Sequence, residues 1–178
     1  PMPQKIEYLF RSDCVYESER FDLVSLGVKW TTGCYCLPSD LLRGIIPRMA
    51  DSYKYMLVDT PGGLEHLNRK VVSEVDDLFV VLDPSLKSLK NAQRIKKLTG
   101  ELNIKYENFY LVANHKFDEE LEEQICRIDG TSYVGKIDYD ANVERYNFTG
   151  KSLLELPEDS PAFLSVGRIL AETNCRSN

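Results

Sequence analysis

The chain has 178 residues with 28 acidic against 22 basic side chains, and its net charge of −6 excludes the basic face that a nucleic-acid partner would require. No apolar run reaches the roughly 18 residues of a membrane helix, and no charged-then-apolar leader opens the chain, so neither a membrane protein nor a secreted one is expected. Five cysteines, an odd count, fit a reduced, cytoplasmic setting in which paired thiols serve metal or redox chemistry.

In chain order, residues 3–13 read as a short helix and 21–26 as a strand ended by Gly27. A loop without period runs to Pro38. The next helix points Leu41, Leu42, Ile45 and Met49 inward, with a kink or restart expected at Pro47, which lacks a backbone donor. Residues 55–58 form an apolar run that ends in Asp59, followed by the Gly62-Gly63 turn and a helical pattern of Leu64, Leu67, Val71 and Val75. That reads as a buried strand delivering an acid to its carboxyl end, inside the sheet beside 78–82 or 21–26.

A second buried strand covers 78–82. Ser85 then caps a helix with Leu86, Leu89, Ala92, Ile95 and Leu98 inward and Gly100 in the left-handed position that ends it. Strand 108–112 follows. Asp118 caps a helix that buries Leu121, Ile125 and Ile128 and ends at Gly130. A short strand at 132–136, a helix at 140–148 and a last helix opened by Ser160-Pro161 complete the chain, the last with Phe163, Val166, Ile169 and Leu170 inward. Strands alternating with helices predict an α/β fold with a mostly parallel sheet and helices on both faces, in a single domain over 1–178.

Several groups carry chemistry. Asp59 has the oxygen ligands a magnesium ion takes, and Gly62 could turn an N–H toward a terminal phosphate; the alternative is an aspartate that only caps a helix. Asn114, after strand 108–112, could read a purine edge with its amide, donor and acceptor together, or simply make a strand-end turn. Cys34 and Cys36 offer two thiols one residue apart, half of a four-coordinate shell that a two-fold dimer would complete, or two small buried residues. His66 and His115 fit no ligand spacing and read as ordinary polar residues. The Gly150-Lys151-Ser152 triplet mimics the end of a phosphate loop, but the position of the motif's first glycine is Arg145 and no strand precedes it.

Together, Gly33-Cys34-Tyr35-Cys36, Gly63-Leu64-Glu65-His66, Leu82-Asp83-Pro84-Ser85-Leu86 and the stretch from Gly150 to Pro157 resemble the CooC-type accessory ATPases that insert nickel into carbon monoxide dehydrogenase. That family lies in the deviant-Walker-A group with MinD, the partition ATPases and nitrogenase iron protein. The resemblance implies a P-loop-NTPase-like fold, Mg-ATP as cofactor, and a nucleotide-dependent homodimer. Carried over by position, Cys34 and Cys36 match the metal-binding pair (nickel or zinc), and Asp59 the switch acid near magnesium and the attacking water. Gly62 matches the turn near the γ-phosphate and Asn114 the adenine reader. Ile137 lies in the second base-contacting loop, where the family often has proline at the place of Asp138.

Family members begin with a strand, a glycine-rich phosphate loop with two lysines, and a helix. None of these is among the 178 residues, so the expectation is a domain incomplete at its N-terminus that binds nucleotide weakly alone. The expected client is carbon monoxide dehydrogenase. Two alternatives remain: a non-catalytic remnant that binds metal or a partner, and a partition-type ATPase, the latter disfavoured by the acidity of the chain.

Overall fold

The computed structural model describes residues 14–25, 36–60 and 73–173, the side chains of 36–42 excepted. Two compact units make up the chain, Pro1–Val58 and Asp59–Asn178.

In the first unit, β1 (Val15–Glu17) and β2 (Asp22–Val24) pair antiparallel as a hairpin. The strand expected at 21–26 is thus present but belongs to this two-stranded ribbon, not to the parallel sheet. Ser18 closes its turn: the Ser18 hydroxyl donates to the Phe21 carbonyl (2.6 Å) and accepts the Phe21 N–H (3.0 Å). Helix α1 (Cys36–Ala50) is continuous through Pro47, so of the kink or restart expected there the restart does not occur. Pro47 stands in the last turn, so only the three residues after it depend on the helix continuing past the lost donor, and the Arg48 side chain donates to the Gly44 carbonyl at 3.0 Å.

The largest departure is at 55–60, which form no strand, with Leu57 93% exposed. A short apolar run is a strand only when a neighbour offers it a ladder, and no ladder forms along these residues. Val75, expected on a helix, lies instead in strand β3 (Glu74–Leu82). The expected helix at 3–13 and the Gly62-Gly63 turn fall outside the described residues.

The second unit is the α/β part, and here the sequence pattern holds. Strands β3, β4 (Lys105–Ala113) and β5 (Ser132–Lys136) form a parallel sheet in the order β3-β4-β5. Helix α2 (Leu86–Glu101) joins β3 to β4, and α3 (Glu119–Cys126) joins β4 to β5. The Ser85 and Asp118 side chains accept the Ser88 and Leu121 N–H groups at 3.1 and 2.9 Å, as helix caps should. Gly100 does not end α2; the helix continues to Glu101, and Asn103 takes the left-handed conformation at φ 53°. Asparagine tolerates that region better than most residues.

Val80, Leu82, Leu89, Ala92, Phe109, Leu111, Ala113, Phe117, Ile125 and Ile128 form one core between sheet and helices. Strand β4 ends in five consecutive buried residues, Phe109 to Ala113, as an inner strand covered on both faces does. β3 is an edge of the described sheet, and its Val81 is 57% exposed.

Helix α4 (Ala141–Thr149) ends at Gly150, left-handed at φ 70°; the short 3-10 turn Leu153–Glu155 follows, then helix α5 (Pro161–Glu172). The inner face of α5 is Ser165 and Ile169, with Thr173 just beyond, while Phe163, Val166 and Leu170 are partly or largely exposed. The expected stripe is therefore wrong except at Ile169. Ser165 is buried and accepts the Asp138 N–H (3.0 Å), and α5 packs on β5 so closely that at Gly135 (φ 122°) a Cβ would come within 3.3 Å of Ile169 Cγ1.

Candidate functional site

The carboxyl ends of β3, β4 and β5 lie side by side, where α/β sheets hold ligands. The Asn114 N–H donates to the Leu82 carbonyl (2.8 Å) and the Ile137 N–H to the Ala113 carbonyl (2.8 Å). Asn114 and Ile137, two of the residues carried over, are thereby brought to one edge. Between Leu111 and Ala113 the pairing with β5 slips by one residue, from Tyr133 to Lys136, a bulge that re-aims the chain just before Ile137.

Asn114 is half-buried, and its Oδ1 accepts the His115 N–H at 3.0 Å, with His115 Nδ1 3.2 Å away. Lys116 then turns left-handed at φ 69°, and Phe117 drops into the core. The Lys136 ammonium ties this turn to the sheet, donating to the Phe117 carbonyl (3.2 Å) and to Glu122 Oε1 (2.5 Å). Glu122 Oε2 also accepts from the Tyr133 hydroxyl (3.0 Å). Burial, reinforced by that hydrogen bond to a carboxylate, pushes the Tyr133 hydroxyl well above the usual tyrosine range.

Beyond Ile137, Asp138 is held from two sides: its N–H donates to Ser165 Oγ (3.0 Å), and its carboxylate pairs with Arg168 (2.6 Å). Tyr139, largely exposed, lies with its ring 5.9 Å from the His115 ring at 53°. Its hydroxyl donates to Glu144 (2.6 Å), and that bond raises the hydroxyl's pKa above the ordinary value. Asp140 caps α4 through the Asn142 N–H (2.7 Å), accepts the Ser160 hydroxyl, and accepts the Ala162 N–H (3.3 Å) in the first turn of α5. The Ser160 bond holds its carboxyl below the usual range, against the opposing effect of burial.

Other expected residues are not brought here by the described structure. Asp59 is exposed on irregular backbone and makes no hydrogen bond or ion pair to another described residue. Gly62 and Cys34 lie outside the described residues, and Cys36 is placed only as the first residue of α1. Among the described residues no group of three or more His, Cys, Asp or Glu is arranged to hold a metal ion. Asn114 and Ile137 thus share one edge of the described sheet, and Asp59 lies outside its strands. Gly150, Lys151 and Ser152 serve structure: the Lys151 N–H closes on the Tyr146 carbonyl (2.9 Å), and Ser152 accepts the Leu154 N–H (3.2 Å).

Sequence reading places Tyr139 in the Ile137 loop and takes His115 as an ordinary polar residue; what it does not show is that their rings meet.

No family model matches the chain. It is, however, 36% identical over 170 residues to the uncharacterized ATP-binding protein MJ0685 of Methanocaldococcus jannaschii, a match covering 93% of this chain and 67% of that protein. The chain belongs to this ATP-binding protein family. The family extends toward the carbon monoxide dehydrogenase accessory protein CooC of Rhodospirillum rubrum, 29% identical over 133 residues, 74% of this chain and 49% of that one. Among solved structures, the ParA family ATPase from Chlorobium tepidum superposes with a TM-score of 0.69 over 89% of this chain and 65% of that one, at 20% identity. That likeness shows the fold: α/β, with a parallel sheet and helices, as the alternating pattern predicts. The chain spans between about half and two thirds of the length of these family relatives. No helix among the described residues is long and apolar enough to cross a membrane.

Proposed function

We propose that the chain is the base-binding portion of an ATP-linked accessory protein of the CooC kind, which delivers nickel to carbon monoxide dehydrogenase. The observation that carries the nucleotide part is the meeting of Asn114 and Ile137 at one sheet edge, bridged through the Ala113 carbonyl. Asn114 faces the purine, Ile137 and the exposed Tyr139 ring border it, and Asp59 and Gly62 act at the phosphates in the longer protein. What supports the accessory role is the similarity to the R. rubrum protein together with the Cys34/Cys36 pair.

The metal, nickel or zinc, is cargo in this reading. Each chain supplies two thiolates, so one ion is shared by two chains of a cytoplasmic homodimer with four sulfurs. A second reading, metal or partner binding without hydrolysis, is favoured by Asp59, which stands exposed outside any strand.

Calorimetry with Mg-ATP on this chain tests the nucleotide part. Binding weaker than micromolar (about −8 kcal/mol) is expected, and it should be lost in Asn114→Ala. Inorganic triphosphate binding as well as ATP does would refute the base site.

A further inference from the structure

A carboxamide brings two lone pairs on its oxygen and two protons on its nitrogen. At Asn114 the oxygen is already engaged twice, by the His115 backbone N–H at 3.0 Å and by His115 Nδ1 at 3.2 Å. The backbone N–H can only donate, which fixes Oδ1 as the end of the carboxamide facing His115. In the Nδ1–H form His115 donates this proton to Oδ1, and that is the form in which the contact is attractive. The ring is held in place beside Tyr139, centroid to centroid 5.9 Å. What Asn114 has left to offer is its NH2 group, which makes no hydrogen bond among the described residues.

A purine shows N7 as an acceptor in both adenine and guanine; O6 of guanine is a second acceptor, and the N6 amino group of adenine is a donor. A donor-only asparagine matches the shared acceptor and is blind to the adenine amino group. We propose that His115 is a specificity-determining positioning residue: it saturates Asn114 Oδ1, so that the site takes purine nucleotides through N7 and distinguishes adenine poorly from guanine. This rests on Asn114 as the base reader and changes how it reads: the sequence alone suggested donor and acceptor together.

Removing Nδ1 while keeping a ring frees one lone pair. Oδ1 can then accept from adenine N6 and repels guanine O6. The test is an NMR titration of the chain with ATP, GTP and 7-deaza-ATP, for wild type, His115→Phe and, in case the bulkier ring disturbs folding, His115→Ala. Wild type should bind ATP and GTP within about threefold of each other and 7-deaza-ATP about tenfold more weakly, within the range one side-chain–base pair discriminates. Both variants should favour ATP over GTP by about tenfold. A merely structural role for His115 would weaken ATP and GTP together and leave their ratio unchanged. An unchanged ratio, or a wild type that already prefers ATP more than tenfold, overturns the role of His115 and leaves the base site standing. Asn114→Ala binding all three nucleotides as wild type does overturns the base reader itself, and this proposal with it.

Discussion

Leu111 is the residue whose loss the structure can absorb least. It is 0% exposed in the middle strand of the sheet, paired to Val80 on β3 and Tyr133 on β5. The Leu111 side chain stands off the sheet in the core cluster with Val80, Leu82 and Leu89, so Leu111→Ala leaves a cavity among close-packed neighbours that relax only in part. Leucine-to-alanine changes in cores cost about 2–5 kcal/mol, more where the cavity persists, so about 4 kcal/mol is expected here. With an m-value of about 2 kcal/mol/M, the urea midpoint should fall by about 2 M. The control is Leu154→Ala: Leu154 is 80% exposed, and its loss should stay within about 0.5 kcal/mol. The measurement is equilibrium unfolding followed by far-UV circular dichroism. A Leu111→Ala penalty under about 1 kcal/mol, or equal penalties for the two variants, would refute the account of β4 as the centre of the core.

Three further expectations can be checked. Asp140 has a folded pKa below its unfolded value, so it stabilises above the unfolded carboxyl pKa of about 3.9 and loses that contribution as pH falls through the folded one; Asp140→Asn should flatten the acid limb of a stability–pH curve. Lys116 sits left-handed at φ 69°, so Lys116→Gly should raise stability by up to about 1 kcal/mol; a lower melting temperature would mean the Lys116 side chain contributes more than its backbone strain costs. Ni²⁺ or Zn²⁺ titrated into wild type while mass is followed in solution should give one ion per two chains and weaker uptake at low pH, and Cys34→Ser/Cys36→Ser should take up none; equal uptake by both proteins counts against a shared site.

The parts of the fold legible in sequence are those whose signals agree locally. Ser85 and Asp118 are caps by residue type, and each caps its helix through its own side chain, whereas Ser160, read the same way, opens its helix without such a bond. Strand 132–136 has the expected bounds, and 78–82 and 108–112 lie within β3 and β4. What failed depends on partners outside the local window. The run 55–58 looks like a strand by composition, yet a strand exists only with a ladder to join. The inner face of α5 could not be read from apolar spacing, because one of its buried positions is a serine that accepts the Asp138 N–H. At the candidate site, the shared sheet edge of Asn114 and Ile137 follows from the ends of strands 108–112 and 132–136, while a role at a base comes from the resemblance alone. The engagement of Asn114 Oδ1 by its neighbour was not, since it depends on a ring orientation no pattern encodes.

The strands of the parallel sheet lie in space in the order in which they occur in the chain. Asp77 meets Asn108, and Tyr110 meets Ser132, so each strand docks on the one made immediately before it and spans only a single intervening helix. Loop-closure entropy grows slowly with separation, and here no closure has to wait for a distant segment. A chain leaving the ribosome can therefore add β4 to β3 and then β5 to β4, completing the sheet edge that carries Asn114 and Ile137 before α5 has been synthesised.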